Sequence, residues 1–282
     1  GLPVHLVLAG QDRGREYSRQ LERMAQERGL WDAVTILSNF PAFLKASILS
    51  AADIFVAVSD NIQETFGIAL VEAMACGLPV IAADWNGYRD LVVPDETGYR
   101  VPTYWSSDAG QHASEMQTVW QPRELRHYLA QRTVVDPLAL YEIARRLARD
   151  ANLRRELGAN GRRRAEREFT WEAIVGAYDQ LWTEQRKVAR SWQPTLPELG
   201  SYDFNDLFEH FATATVGECA RLRLTGDIEK NGAPSSPLQE QLWRRGEMSI
   251  AELRALGGQD AVDWAIRLWK KGGIRFVDAN ES

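Results

Sequence analysis

The first hundred residues alternate short, strongly apolar runs with segments that have the spacing of helices. The apolar runs, each typical of a β-strand, are 4–10, 33–38, 53–59, 78–84 and 98–102. Strands that alternate with helices in this way form right-handed βαβ units, so the sequence predicts an α/β fold with a doubly wound parallel sheet. Because valine and leucine dominate the run at 4–10, we expect a first strand that is buried on both faces.

Several polar and glycine residues fall where the predicted strands end. The functional edge of an open parallel sheet lies at the carboxyl ends of its strands. The residues predicted at that edge are Gly10, Asn39, 59–67 and 84–90. This convergence favours a ligand site there.

Helical spacing predicts the remaining elements. Helices are expected at 15–29, at 40–52, from near Phe66 to Gly77, and over 137–186, where Gly158 and Gly161 interrupt the pattern. We expect the polar stretch from 105 to 134 to be irregular.

A change of composition at 191–200, with two prolines and a glycine, indicates a linker. We therefore divide the chain into a Rossmann-like domain at 1–186, a linker at 187–200 and a mostly helical extension at 201–282. In the extension, Ser249 and Glu252 form a capping-box pattern. A helix, a break at Gly257 and Gly258, a second helix and a strand at 274–277 follow, an order that resembles a winged helix.

The charge composition argues against nucleic-acid binding. The 282 residues carry a formal net charge of −6, and the acidic and basic residues of the extension are about balanced. The arginine run at 161–168 also contains acids, which is typical of a solvated helix face. We expect no nucleic-acid partner, and we expect any partner of 201–282 to be a protein.

The sequence also bears on the location of the protein and on metal binding. The two cysteines, Cys76 and Cys219, are too few for a disulfide scaffold, and no apolar run is long enough to span a membrane. With no signal peptide visible, we expect a cytoplasmic protein, and peripheral contact with the inner face of the membrane stays open. The four histidines show no metal-ligand spacing, so no metal site is expected.

Two glutamates, Glu64 and Glu72, flank a Phe-Gly pair in an otherwise apolar segment. If the helix begins near Phe66, the backbone N–H groups of residues 65–68 point off its N-terminus and form an anion site suited to a diphosphate. Gly67 would let the ligand approach the backbone without a Cβ in the way.

The two carboxylates repel a diphosphate, but they are good acceptors for sugar hydroxyls. A diphosphate with hydroxyls on both sides is a nucleotide sugar, with Glu72 on the ribose and Glu64 on the transferred sugar. The alternative is that both acids only complement the helix dipole. That alternative is tenable for Glu64 and weaker for Glu72, which lies inside the apolar run 68–75.

The stretch "ETFGIALVEAMACGLPVIAADWNGYRDLV", followed by "TGYRVPT", resembles the donor-binding half of a GT-B-fold, family 4 retaining glycosyltransferase. With "FTWE" at 169–172, the resemblance covers about residues 4–182. It implies a hexosyltransferase (EC 2.4 class) of bacterial type that uses a nucleoside-diphosphate sugar, UDP- or GDP-linked, retains the anomeric configuration, and needs no metal or other cofactor. The acceptor, whether a glycan, a lipid-linked or a small molecule, stays open.

The resemblance also implies roles for individual residues. It makes Glu64 the catalytic-side residue that binds hydroxyls of the transferred sugar, and Glu72 the residue that holds the ribose. The other residues implied in donor binding are Thr65, Phe66, Gly67 and Ile68 near sugar and phosphate, Asn39 and Phe40 near the base, and Gly87 in a loop beside the donor.

Two parts of the family pattern have no counterpart here. The Arg and Lys that neutralise the diphosphate, and the acceptor-binding N-terminal domain, would precede residue 1. Arg13 and Arg15 occupy a different loop and are not candidates. We therefore expect this chain to be a fragment that binds donor weakly and turns over little.

Other functions remain open beside this one. A sugar-nucleotide epimerase and an α-glucan phosphorylase share the GT-B architecture, although no lysine here has the context of a pyridoxal-phosphate lysine. A non-enzymatic alternative is an interaction module in which 201–282 docks a partner.

Overall fold

The computed structural model describes residues 3–59, 64–116, 120–189, 208–225 and 236–277. Its first elements alternate as the sequence predicts. They are β1 (Leu6–Gly10), α1 (Glu16–Glu27), β2 (Val34–Ser38), α2 (Lys45–Ser50), β3 (Phe55–Ala57), α3 (Ile68–Ala75), β4 (Val80–Ala83), α4 (Tyr88–Leu91) and β5 (Gly98–Val101). Short 3₁₀ turns occupy Trp31–Ala33, Ala42–Leu44 and Glu209–Phe211.

The strands pair in parallel, but in two sheets. β1 pairs with β2, and β4 lies between β3 and β5 in a second sheet. The expected single sheet is thus not formed by the described residues. A cavity bounded by Ala9 and Gly10 of β1 and by Phe55 of β3 lies between the two sheets. It separates β1 from β3, because strands must approach to about 5 Å to share hydrogen bonds.

Helices cover both faces of the second sheet. After further short elements at 103–135, the chain forms three long helices, α7 (Pro137–Arg149), α8 (Ala151–Glu168) and α9 (Trp171–Ala189). Val80 and Ala82 of β4 pack in the cluster that contains α3, whereas Ile81 packs against Leu147 of α7 and Leu157 of α8. Because successive side chains of a strand point to opposite faces, β4 is buried on both sides, as in a doubly wound sheet.

The expectation that the first strand is buried on both faces is wrong. Val4, Leu6 and Val7 are 63%, 50% and 45% exposed. Among the described residues, β1 has only β2 as a ladder partner, so its apolar run is not covered as β4 is.

The expectation of irregular structure at 105–134 is also wrong. This stretch contains β6 (Thr103–Ser106), α5 (Ser107–Met116), α6 (Pro122–Gln131) and β7 (Thr133–Val135). Among the side chains described, each element buries a single apolar residue, namely Trp105, Ala113, Leu129 and Val134. Such short elements give no periodic run that the sequence pattern can show.

Gly158 and Gly161 do not interrupt the helix but lie buried inside α8. A Cβ at Gly158 would lie 2.0 Å from the carbonyl oxygen of Gly77, just beyond the end of α3. These glycines therefore allow α8 to pack closely on α3, the helix that carries Glu72.

The C-terminal part contains β8 (Ala214–Val216), β9 (Arg221–Leu224), α10 (Pro237–Arg245), β10 (Glu247–Ser249), α11 (Ile250–Lys270) and β11 (Ile274–Val277). The predicted capping box is present, since Ser249 Oγ accepts from Glu252 N and the Glu252 carboxylate accepts from Ser249 N. The predicted break also occurs, at Gly257 and Gly258, which have non-helical angles within α11. The strand at 274–277 is confirmed, and it pairs with β9 in an antiparallel sheet of order β10-β9-β11.

The two parts of the chain share a sheet. β6 pairs with β7 on one side and with β8, in parallel, on the other. Arg132, at the end of α6, forms an ion pair with Asp263 of α11. The winged-helix assignment and the domain boundaries stay predictions. Residues 187–189 end α9, and the rest of the predicted linker lies outside the described residues.

No helix in the described part of the chain combines the length and apolar character that crossing a membrane requires. Cys76 and Cys219 are both free thiols.

Candidate functional site

The helix α3, which carries Glu72, begins at Ile68, two residues later than the predicted start near Phe66. Its N-cap, Gly67, has φ 93°, a left-handed conformation that favours glycine and cannot continue a helix. The first turn closes with the amide of Leu70 donating to the carbonyl oxygen of Gly67 at 2.9 Å. The amides before Leu70 have no acceptor within the helix, so the start of α3 is a positive end directed outward.

A cavity of about 400 Å³ lies at this helix start, and we call it the Glu64 cavity. It is lined by Ala57, Glu64, Thr65, Phe66, Gly67, Ile68, Ala69, Leu70 and Tyr88. The structure thus brings the predicted residues of 64–68 together at one site. Among the described residues that line it, none carries a positive charge.

Tyr88 closes one side of the Glu64 cavity and is itself 4% exposed. Its hydroxyl is hydrogen-bonded to the Glu64 carboxylate. Burial raises the pKa of the Tyr88 phenol well above its usual range, and the neighbouring charge and hydrogen bond of Glu64 raise it further. The phenol is therefore a neutral donor to the carboxylate. A Cβ at Gly67 would lie 2.4 Å from the Tyr88 ring.

Gly87 lies against the backbone of the motif. A Cβ at Gly87 would lie 2.0 Å from the carbonyl oxygen of Thr65. Next to it, Asn86 donates from Nδ2 to the carbonyl oxygen of Glu64 at 3.2 Å. The loop after β4 thus holds the 64–65 backbone by direct contact.

Phe66 and Ile68 present accessible side chains beside the cavity. They are 42% and 66% exposed. The ring of Phe66 makes an edge-to-face contact with Phe169, with 6.2 Å between centroids. Phe169 begins the "FTWE" stretch, so the two motif segments meet here.

Glu72 lines a second cavity of about 460 Å³, which we call the Glu72 cavity. Its lining is Ala9, Gly10, Gln11, Phe40, Ala42, Lys45, Ile48, Leu49, Phe55, Ala69 and Glu72. Lys45 Nζ lies 2.8 Å from Glu72 Oε1, and the two side chains are 48% and 34% exposed. Such an accessible pair contributes about 0–1 kcal/mol to stability, so its main effect is to orient the carboxylate.

The two glutamates therefore lie in two adjoining cavities rather than in one. Ala69, in the first turn of α3, lines both. A ligand that reached both carboxylates would have to cross the start of α3 at Ala69.

Asn39 is not among the residues that line either cavity, whereas Phe40 lines the Glu72 cavity. The side-chain amide of Asn39 donates to Asp12 O at 2.8 Å and accepts from Asp12 N at 2.9 Å. Asn39 thereby ties the loop after β1 to the end of β2.

Sequence reasoning missed Tyr88 and Lys45. Tyr88 directly follows Gly87 in "NGYRD", and its position in a predicted edge loop was the only signal for it. Lys45 stands at the start of α2, the short helix that follows β2, and nothing in its local context marks it.

No cluster of three or more His, Cys, Asp or Glu residues suited to a metal occurs in the described ranges. His5 and His127 each have a close polar contact, since His5 Nε2 lies 2.8 Å from Thr35 Oγ1 and His127 Nε2 lies 2.8 Å from Gln131 Nε2.

Comparison with known families identifies this region. Residues 2–136 match the family model of glycosyl transferases group 1. These residues belong to that family of retaining glycosyltransferases, which is the GT4 group of GT-B fold that the motif resembles.

Curated relatives are similar over part of the chain. The D-inositol 3-phosphate glycosyltransferase of Geodermatophilus obscurus is 36% identical over 152 residues, which is 51% of this chain and 33% of that protein. The α-maltose-1-phosphate synthase of Mycolicibacterium smegmatis is 30% identical over 176 residues, or 62% of this chain and 37% of that protein. The chain thus matches about a third of the length of these relatives.

Solved structures show a partial likeness. The sucrose-phosphate synthase of Thermosynechococcus elongatus superposes with a TM-score of 0.45 at 31% identity, covering 65% of this chain and 38% of that one. Anabaena HepE in complex with UDP gives a TM-score of 0.46 at 22% identity, with 64% and 41% covered.

Proposed function

We propose that this chain binds the nucleoside-diphosphate sugar of a retaining hexosyltransferase, with UDP or GDP as the nucleotide and an acceptor still to be identified. Glu64 accepts hydrogen bonds from the transferred sugar, Glu72 accepts them from the ribose, and Phe40 lies beside the base. The backbone of residues 65–68 faces the sugar and the diphosphate.

The observation that carries the proposal is the Glu64 cavity at the start of α3. It combines the positive end of a helix with a carboxylate held by Tyr88. A helix N-terminus suits a phosphate, and a fixed carboxylate suits sugar hydroxyls. The Glu72 cavity adjoins it through Ala69, which supports a ligand that extends across the helix start.

The charge balance of the two cavities supports weak binding of the donor. The residues described around the Glu64 cavity include a carboxylate and no cation, and Lys45 in the Glu72 cavity is paired with Glu72. The α3 dipole, equivalent to about half an elementary charge, is then the main favourable field for the diphosphate. In transfer, the same amides would stabilise the charge that develops on the leaving diphosphate.

Calorimetry with UDP-, GDP- and ADP-sugars tests the proposal. We expect Glu72→Ala to lower the affinity for the preferred donor sharply, by about tenfold or more, because a charged hydrogen-bond acceptor is lost. Glu64→Ala should lower it more mildly. Glu156→Ala, which removes an exposed glutamate of α8, is the matched control.

Equal affinity in the wild type, Glu64→Ala and Glu72→Ala would contradict the assignment. Product analysis separates the two enzyme classes, since a transferase releases the nucleoside diphosphate whereas an epimerase isomerises the donor. Release of nucleoside diphosphate without an isomerised sugar supports the transferase.

A further inference from the structure

We propose that residues 209–213 of the C-terminal part position the Glu64 carboxylate and thereby tune the affinity of the chain for the sugar moiety of its donor. We call these residues the 209–213 segment. The inference rests on the proposed function, because it assumes that Glu64 binds the transferred sugar.

The 209–213 segment contacts the loop that follows β4. The backbone amide of Asn86 donates to the carbonyl oxygen of Phe211 at 3.1 Å. The ring of Phe211 packs edge-to-face on Trp85, with 5.7 Å between centroids. Trp85 is fully buried, so this contact fixes the loop against the core.

A polar link runs beside the aromatic one. Thr213 donates from Oγ1 to Asp84 Oδ2 at 2.7 Å, and Asp84 also accepts from Arg89 Nε at 3.1 Å. Arg89 in turn donates from Nη1 to the carbonyl oxygen of His210 at 3.1 Å. The start of the loop and the helix α4 that follows it are therefore both tied to the segment.

The 209–213 segment is also hydrogen-bonded to β6. Thr213 N donates to Thr103 O at 2.7 Å, and Thr103 N donates to Thr213 Oγ1 at 2.8 Å. The chain then continues directly into β8, which pairs with β6. These bonds give the segment a fixed position, so it can act as a support rather than follow the loop.

The loop transmits that position to Glu64. Asn86, whose amide is bound by Phe211, holds the carbonyl oxygen of Glu64 through Nδ2. Tyr88, two residues on, is hydrogen-bonded to the Glu64 carboxylate. The loop therefore lies between the segment and the candidate sugar-binding group, and it contacts both.

The test compares Thr213→Val, which removes the hydroxyl at nearly constant volume, with Thr215→Val, the same change at an exposed site in β8. Affinity is measured for the nucleoside-diphosphate sugar and for the nucleoside diphosphate alone. We expect Thr213→Val to weaken the nucleotide sugar by about fivefold, the size of a typical positioning effect, and to leave the nucleoside diphosphate unchanged. Thr215→Val should change neither, and Thr213→Ser should restore the wild-type affinity.

Two further measurements separate positioning from general damage. Phe211→Leu removes the ring that packs on Trp85 but keeps an apolar side chain there. It should give the same selective loss of affinity for the nucleotide sugar. In the double variant Glu64→Gln, Thr213→Val, the change at Thr213 should lower the affinity little further, because the carboxylate that it positions is already altered. An equal loss for both ligands, or full additivity in the double variant, overturns the inference.

Hydrogen exchange gives a readout that does not depend on a ligand. The hydrogen-bonded backbone amides of Asn86 and Tyr88, in the loop that the segment supports, should exchange faster in Thr213→Val than in Thr215→Val, because that support is loosened. If the wild-type chain binds no nucleotide sugar, the proposed function fails. The hydrogen-exchange comparison alone then still tests the positioning role. Unchanged exchange in Thr213→Val rejects that role.

Discussion

The hydroxyl of Tyr88 is hydrogen-bonded to the carboxylate of Glu64, and its ring lies where a Cβ at Gly67 would clash, at 2.4 Å. Because the phenol is buried and its pKa is raised, it stays protonated and remains a donor at physiological pH. One carboxylate oxygen is thereby engaged, which fixes the direction in which Glu64 can accept hydroxyls from a sugar.

Tyr88→Phe should weaken binding of the nucleotide sugar by about tenfold, since a hydrogen bond to a charged group contributes about 1.5–3 kcal/mol. The ring itself is retained, so packing against Gly67 should persist. Tyr141→Phe, at a residue that is 61% exposed, is the control. Calorimetry that gave both variants the wild-type affinity would show that the phenol does not hold Glu64 for the ligand.

Gly87→Ala should also impair binding, by pushing the 64–65 backbone away from the loop. The new Cβ would lie 2.0 Å from the carbonyl oxygen of Thr65, a contact that no side-chain rotation can relieve. We expect at least a tenfold loss of donor affinity and a fall in melting temperature. Gly14→Ala, where the nearest atom lies 3.9 Å away at the flexible side chain of Glu16, should have little effect on either.

Gly158→Ala should destabilise the whole Rossmann-like part. Its Cβ would lie 2.0 Å from Gly77 O, so α8 must move off α3. Overpacking of this kind costs about 1–3 kcal/mol, which urea unfolding can measure. Gly176→Ala in α9 meets nothing within 4 Å and should stabilise instead, by up to about 1 kcal/mol from helix propensity. A stable Gly158→Ala variant would contradict the close approach of the two helices.

Asp263→Asn should lower stability in a pH-dependent way. Burial alone raises the pKa of Asp263, but hydrogen bonds from Arg132 and Gln259 and the charge of Arg132 lower that pKa below its ordinary value. A carboxyl whose pKa is lower in the folded chain stabilises the fold at pH values above its pKa in the unfolded chain, which is about 3.9. This stabilisation is lost as the pH falls through the folded pKa.

The difference in unfolding free energy between wild type and Asp263→Asn should therefore be about 2 kcal/mol at pH 7 and should shrink below about pH 4. Asp260→Asn, at an exposed position on the same helix, is the control. A difference that stayed constant down to pH 3 would show that the ion pair with Arg132 does not stabilise the fold.

The sequence predicts the elements that have strong local signals. The alternating strands and helices up to β5, the capping box at Ser249 and the break at Gly257 all appear in the structure. Each depends on contacts within a few residues, or on a glycine or capping residue with a defined backbone preference. The gathering of residues 64–68 at one cavity follows from the same local pattern.

The parts that the sequence does not predict depend on distant contacts. The hydrogen bond between Thr103 and Thr213 joins residues 110 positions apart. The sequences of β6 ("TYWS") and β8 ("ATV") contain no pattern that predicts their pairing. Tyr88 reaches Glu64, and Lys45 reaches Glu72, only once the strands have aligned. The exposure of β1 follows from which elements cover it, which its own composition cannot show.

The pairing of β8 with β6 limits where the chain can be truncated without damage to the remaining fold. A truncation at the predicted linker would strip the neighbour from β6 and leave its backbone donors and acceptors as an open sheet edge, a recognised cause of aggregation. Loss of function after such a truncation would then report damage to the remaining protein, and shortened versions for expression or crystallisation should keep residues 208–216.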